Sequence, residues 1–246
     1  MVTIWDRHKS VWKKKKFLRE IYSGWYTKIV RDLAPGKTLE VGSGTGNFKE
    51  YYKEAITSDV EKLPGIDLRV DAHKLPFRKN SIGNIVMVDT LHHLADPILF
   101  LEEASRVLKS GGRIIMVEPF PTVLSLLVYR KFHKEPFIFG ADYFKPQKKT
   151  NKLAWDSNQA IPYLVFFKYR DKFEKKMGKY LKIVKAEKIS YLMYPLSGGF
   201  EGPQLIPDFL APGLKVLERV AGIFRNFLAF RCYLVIERNP ALHKRS

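Results

Sequence analysis

Apolar positions change their period along this chain, and each change predicts an element. From Ser10 to Leu33, the residues Trp12, Phe17, Ile21, Trp25, Ile29 and Leu33 fall at helical spacings with no proline before Pro35. That pattern predicts one or two amphipathic helices, with Lys13, Lys14, Lys15 and Lys16 on their exposed side. "KTLEVG" then predicts a short buried strand, followed by a glycine-rich turn and a helix over "NFKEYYKEA". "AITSD", ending at Asp59, and "IDLRVD", ending at Asp71, read as the second and third strands. The "VEKLPG" between them is too short for a crossover helix. "SIGNIVMVD" predicts a fourth strand and "DPILFLEEASRVLKSGG" a helix, with Asp96 as its cap, Pro97 in its first turn and Gly111 and Gly112 as its stop. "RIIMVEP" is the fifth strand. Strands and helices in alternation imply a parallel sheet covered by helices.

Beyond residue 119 the pattern blurs. Residues 120–165 are aromatic, basic and broken by proline and glycine. "FKYRDKFEKKMGKYL" reads as a basic amphipathic helix, "KIVKAEKISYLMYPL" as a sixth strand and "FRCYLVIER" as a seventh. Between those strands, Leu214, Leu217, Val220, Ala221, Phe224 and Leu228 share one helical face. Packing of that face on the sheet is the favoured reading, and a basic helix on a membrane surface is the alternative.

Composition narrows the class. With 246 residues, 46% hydrophobic and 28% charged, the chain can bury one large α/β core or two small ones. A single cysteine, Cys232, excludes an intramolecular disulfide and a multi-cysteine metal site, and fits a reducing compartment. The N-terminal stretch lacks a secretory signal's apolar core, and the longest uncharged apolar run, Phe120–Tyr129, is too short to span a bilayer. A soluble, cytoplasmic protein is expected, with peripheral membrane contact left open. The net charge of +18 is uneven: +7 over residues 1–38, −2 over 39–119 and +13 over 120–246. Basic flanks around a near-neutral centre point to an anionic partner, the alternative being a lysine-rich solvated surface.

The chemistry sits in "TLEVGSGTGNF". A dinucleotide fingerprint would place its third glycine where Asn47 stands, and no GK[ST] closes a phosphate-binding Walker loop. The spacing E-x-G-x-G-x-G from Glu40 to Gly46 instead resembles motif I of the class I S-adenosylmethionine-dependent methyltransferases. The resemblance continues, in order and spacing, through Asp59, "VDAHKLPF", "VMVDTLHHLADP" and "EASRVLKSGGRIIMVEP", and covers roughly residues 36–119. The pattern is that of the small-molecule branch, of the kind found in quinone biosynthesis. It implies a Rossmann-like, doubly wound α/β fold: a mostly parallel seven-stranded sheet with an antiparallel last strand and S-adenosylmethionine across the C-terminal strand ends. The chain then divides into N-terminal helices (1–35), a cofactor-binding core (36–119), an inserted substrate cap (120–165) and the end of the sheet with C-terminal helices (166–246).

The same resemblance implies the site. Glu40 would orient the loop and the amino end of the cofactor, and Gly42, Ser43, Gly44 and Gly46 would let the backbone approach it. Asp59 would accept from the ribose diol, Asp71 from the adenine amine, the Ala72 N–H would meet a ring nitrogen, and Asp89 would contact the methionine moiety. Leu75 and Phe77 are adenine walls or core residues. Two features depart from the family: the missing crossover helix, and Gly83 where aspartate is common. His92 and His93 fall near the reacting methyl, as a base or as packing, so no catalytic residue is assigned. A metal site needs more ligands than this pair, and no spaced set is visible.

Three functions follow. The leading one is methyl transfer to a small or lipid-linked, anionic acceptor at O, N or C. The second is RNA methylation through the basic flanks, against which stand the lack of an "NPPY"-like motif, of a catalytic context at Cys232 and of an RNA-binding module. The third is a non-catalytic cofactor-binding protein. Specificity is expected from the N-terminal helices and from residues 120–165. There Phe132, Phe137, Phe139, Tyr143, Phe144 and Trp155 would wall an acceptor among Lys131, Lys134, Lys145, Lys148 and Lys149.

Overall fold

The structure, a computed structural model, describes residues 3–145 and 157–240. Helices α1 (Ile4–Lys14) and α2 (Lys16–Asp32) open the described chain. Thr3 caps α1 reciprocally: its hydroxyl accepts from the Asp6 N–H, and its own N–H donates to the Asp6 carboxylate. α2 buries Phe17, Ile21, Trp25 and Ile29, the stripe that the periodicity predicts.

Seven strands follow: β1 (Thr38–Val41), β2 (Ile56–Asp59), β3 (Leu68–Arg69), β4 (Ile82–Val88), β5 (Leu108–Pro119), β6 (Leu181–Ile189) and β7 (Arg231–Arg238). They order as β3-β2-β1-β4-β5-β7-β6, and β7 alone runs antiparallel to its neighbours β5 and β6. This is the expected Rossmann-like sheet with its reversed last strand. Alternation splits β5 between two cores. Ile114 and Met116 join Phe100 and Phe173 on one face, while Ile115 and Val117 join the α2 stripe on the other.

The remaining helices are α3 (Pro97–Val107), α4 (Val123–Phe132), α5 (Ile161–Tyr163, continued as a wider turn over Leu164–Lys168), α6 (Arg170–Met177), α7 (Met193–Ser197), α8 (Ala211–Ala221) and α9 (Arg225–Leu228). Asp96 caps α3 by accepting from the N–H groups of Ile98 and Leu99, as expected. None of the described helices is long and apolar enough to cross a membrane.

Several expectations fail locally. The residues after the glycine turn make only a 3₁₀ turn, Asn47–Glu50, in place of a helix. Phe48 sinks against Tyr26 and Tyr52, drawing the chain toward α2, and β2 begins a few residues later. Gly111 and Gly112 do not stop α3, which ends at Val107; both lie inside β5. A Cβ on Gly112 would come within 2.8 Å of the Gly83 carbonyl, and one on Gly83 within 2.7 Å of the Pro35 carbonyl. Close backbone packing thus explains why Gly83 departs from the family pattern. The sixth strand ends at Ile189, because Ser190 turns left-handed (φ 61°) and "LMYPL" becomes α7.

The largest correction concerns α8. Only Ala211 and Ala221 of this helix are buried, with Leu214 packed partly against the α2-side core. Glu218 shares that inner stripe, and its carboxylate accepts from the N–H groups of Tyr191, Leu192 and Met193 at the start of α7. The wider apolar face turns away from the protein. Val216, Leu217 and Val220, with Ile223, Phe224 and Phe227 beyond the helix, are each more than half exposed. Packing on the sheet, the favoured reading of this segment, does not hold.

Candidate cofactor and acceptor site

Strand order reverses between β1 and β4, and a cavity of about 2050 Å³ opens there at the C-terminal strand ends, where ligands bind in open α/β sheets. Glu40, Gly42, Ser43, Gly44, Asp59, Asp71, Ala72 and Asp89 all line it. Gly46 does not; its left-handed backbone (φ 76°) shapes the turn behind. Leu75 and Phe77 belong to the core, so the second account of them holds.

Two glycines are required sterically. A Cβ on Gly42 (φ 72°) would meet Thr90 at 2.3 Å, and one on Gly44 (φ 52°) would meet Trp5 at 2.9 Å. Asp59 holds this loop: one carboxylate oxygen accepts from the Gly44 N–H at 3.0 Å, the other from the Glu61 N–H at 3.1 Å. Each oxygen keeps a second lone pair for a further donor. Asp71 accepts from the His73 N–H at 2.9 Å, which turns the chain beside Ala72.

Glu40 is buried, and its Oε2 finds no hydrogen-bond partner among the described residues. Burial pushes this carboxyl from its ordinary 4.5 up to about 8, with the nearby Asp59 charge adding to the rise.

Asp89 sits in left-handed backbone (φ 52°) and accepts from the Tyr22 hydroxyl at 3.1 Å. Its other oxygen lies 3.2 Å from Arg231, a buried guanidinium that also donates to the Tyr194 hydroxyl and lies 4.2 Å from that ring's centre. Tyr22, Tyr194 and Arg231 come from α2, α7 and β7. No spacing signal links them, and sequence reasoning misses all three.

The histidine pair lines the same cavity. His92 Nδ1 is 2.7 Å from Glu118, a fully buried carboxylate that also accepts from the N–H groups of Thr90 and Leu91. Glu135 approaches the Nε2 atoms of His92 at 3.5 Å and of His93 at 3.7 Å. Burial disfavours the His92 imidazolium, yet the two glutamates outweigh it and lift the ring to about 9.

α1 roofs the cavity. Trp5 covers Gly44 and donates to Glu61 at 2.9 Å, while Arg7 and His8 both pair with Glu201. The Lys15 ammonium bonds the carbonyls of Ser197 and Gly199, tying the two helices to the α7 loop. The inserted segment behaves differently from expectation. Phe137, Phe139, Tyr143 and Phe144 pack into the core, and among the described residues of the named aromatic set only Phe132 lines the cavity, with Leu124 and Val128 of α4. Lys134 also lines it, Lys131 and Lys145 do not, and Trp155, Lys148 and Lys149 lie outside the described residues.

Residues 39–116 match a family described as a methyltransferase domain. An uncharacterised protein of Methanocaldococcus jannaschii is 31% identical over 54% of this chain and 69% of its own length. A demethylmenaquinone methyltransferase of Staphylococcus aureus is 26% identical over 54% of this chain and 66% of its own. The matches span 32% to 69% of the length of these and neighbouring curated relatives. Among solved structures, a SAM-dependent methyltransferase of Archaeoglobus fulgidus is similar at a TM-score of 0.54. It is 14% identical over 90% of this chain and 94% of that one, a likeness of fold.

Proposed function

Because this chain belongs to the class I S-adenosylmethionine-dependent methyltransferases, we propose that it methylates a large, lipid-linked acceptor reached from an anionic membrane surface. The cofactor supplies a methyl group already activated on a sulfonium, so the chain's work is positioning and exclusion of water. Glu40 Oε2 would receive the cofactor's ammonium group, and Asp59 its ribose diol. Gly42 and Gly44 leave the loop backbone bare for close approach. The volume exceeds the roughly 300–1,000 Å³ of ordinary ligand pockets, which leaves room for an acceptor beside the cofactor.

The observation that carries the membrane reading is the exposed apolar ridge. α9 packs beside α4. α4 turns Leu124 and Val128 into the cavity, Phe132 stands exposed at its edge, and Val123 and Leu127 are more than half exposed outside. Exposed apolar side chains thus stand on both α9 and its neighbour α4, and α4 borders the cavity. Exposed Arg130, Lys131, Lys215, Arg219 and Arg225 flank it, the composition of a helix that lies in an anionic interface. An acceptor of the demethylmenaquinone type, suggested by the name of the Staphylococcus aureus relative, suits such a mouth. The test is sedimentation with anionic and with neutral vesicles at low and moderate salt, beside bulk tRNA. Anionic-vesicle binding supports the reading. Salt-sensitive tRNA binding without vesicle binding would transfer the basic flanks to RNA.

A further inference from the structure

We propose that His92, His93 and Glu135 form a three-ligand site for a divalent cation of the zinc class, open on its remaining side to the acceptor cavity. One ligand atom from each of the three lies within 4.8 Å of the other two, and all three residues line the cavity. The histidine pair alone is too few. Glu135, in the inserted segment, supplies the third ligand that the sequence spacing hides.

The distances favour an ion over hydrogen bonds. The Glu135 oxygens stand 3.5 Å and 3.7 Å from the two Nε2 atoms, too long for good hydrogen bonds. Two ligands about 2.1 Å from a tetrahedral ion stand roughly 3.4 Å apart. The 3.5 Å from Glu135 Oε2 to His92 Nε2 approximates one such edge. The 3.7 Å to His93 Nε2 is measured to the other oxygen, Oε1, and the Gln159 amide donates to Oε2 from the side at 3.2 Å. Two imidazoles with one carboxylate suit zinc better than magnesium, which prefers oxygen ligands and keeps its waters.

The outer shell is also in place. Metal-bound histidines commonly give their second ring N–H to a carboxylate, which fixes the tautomer and aims the other nitrogen. Glu118 is such an acceptor for His92 Nδ1 at 2.7 Å, and it also accepts from two backbone N–H groups that fix it. The Asn158 N–H further pins the His92 carbonyl at 2.9 Å. His133 is not counted as a ligand, because its Nδ1 already faces the Gln159 amide at 2.8 Å and the Glu135 N–H at 3.3 Å.

Three protein ligands and one open side are the arrangement of catalytic rather than structural zinc sites. The open side faces the acceptor. A hydroxyl held there ionises more readily. Its proton goes to bulk water, and its oxygen bonds to the methyl carbon. The C–S bond breaks with its electron pair left on sulfur, so the sulfonium becomes a neutral thioether. That step rests on the methyl-transfer reading, whereas binding of the ion does not.

The experiment is titration of the tag-free, chelator-stripped full chain with zinc by calorimetry, with metal content measured after dialysis and magnesium as the comparison ion. The parent is expected to hold one zinc per chain and to ignore magnesium. His93→Ala and Glu135→Gln, at partly exposed positions, should each weaken zinc binding at least 100-fold while leaving melting and S-adenosylmethionine affinity within about twofold. A parent that binds no zinc overturns the site, as does equal zinc affinity in both variants. A parent that binds zinc but no S-adenosylmethionine would uphold the site and remove the methyl-transfer reading.

Discussion

Replacing Glu40 by glutamine separates the stability of this fold from its affinity for the cofactor. The Glu40 carboxyl rises from an ordinary 4.5 to about 8 in the folded chain. A carboxyl raised by folding has no effect on stability while both states are protonated, below about pH 4.5. Above that the unfolded state ionises first, and the folded state loses roughly 1.4 kcal/mol per pH unit until about pH 8. At pH 7 the accumulated loss is about 3 kcal/mol. Glu40→Gln removes the titration with nearly the same shape. Relative to the parent, the variant should therefore gain about 3 kcal/mol between pH 4.5 and 7, a melting-temperature gain of roughly 6–12 °C for a chain of this size. Cofactor binding should move the opposite way, weakening roughly 10- to 100-fold, as expected when a charged hydrogen bond to a cation is lost. Binding of the cation to the parent near pH 7 should also release about one proton, seen as a heat that depends on the buffer's ionisation enthalpy. Melting curves at the two pH values and calorimetry in two buffers read all three effects. A variant that tracks the parent at both pH values and binds the cofactor as tightly would refute the assignment of Glu40.

Other perturbations have equally definite outcomes. Asp59→Ala should weaken S-adenosylmethionine binding by about 1–3 kcal/mol, since it removes an acceptor and frees the Gly44 and Glu61 N–H groups together; calorimetry checks it. Gly44→Val should do worse, because valine resists φ 52° and its Cβ displaces Trp5, and the displacement is visible as a change in tryptophan fluorescence. Phe224→Asp together with Phe227→Asp, both exposed, should leave melting unchanged but cut anionic-vesicle binding at least tenfold in sedimentation; unchanged binding would remove the ridge from the account.

The sheet was legible because its evidence is local. A buried strand, a glycine turn and a capped helix each announce themselves within about ten residues, as in "KTLEVG" or Asp96 with Pro97. The cofactor loop shares this property, and all but one of its named residues meet at the cavity. What escaped depends on partners far along the chain. Phe48 abandons a helix because Tyr26 waits on α2, and Gly112 is small because Gly83 crosses behind it. On α8, Leu214, Leu217 and Val220 look alike in sequence, yet only the first turns inward, because Glu218 fastens that stripe to α7. Arg231 pairs with Asp89 and Glu135 with the histidines across separations that no motif spans.

The most direct test of the account is to follow the methyl group itself. The chain is incubated with methyl-labelled S-adenosylmethionine and, in parallel, with a total lipid extract in anionic vesicles, an aqueous metabolite extract and bulk tRNA, and label is counted after phase separation. The account predicts label in the organic phase, dependent on anionic vesicles and lost in Asp59→Ala. Label confined to the tRNA or aqueous fraction, with none in lipid, would contradict it.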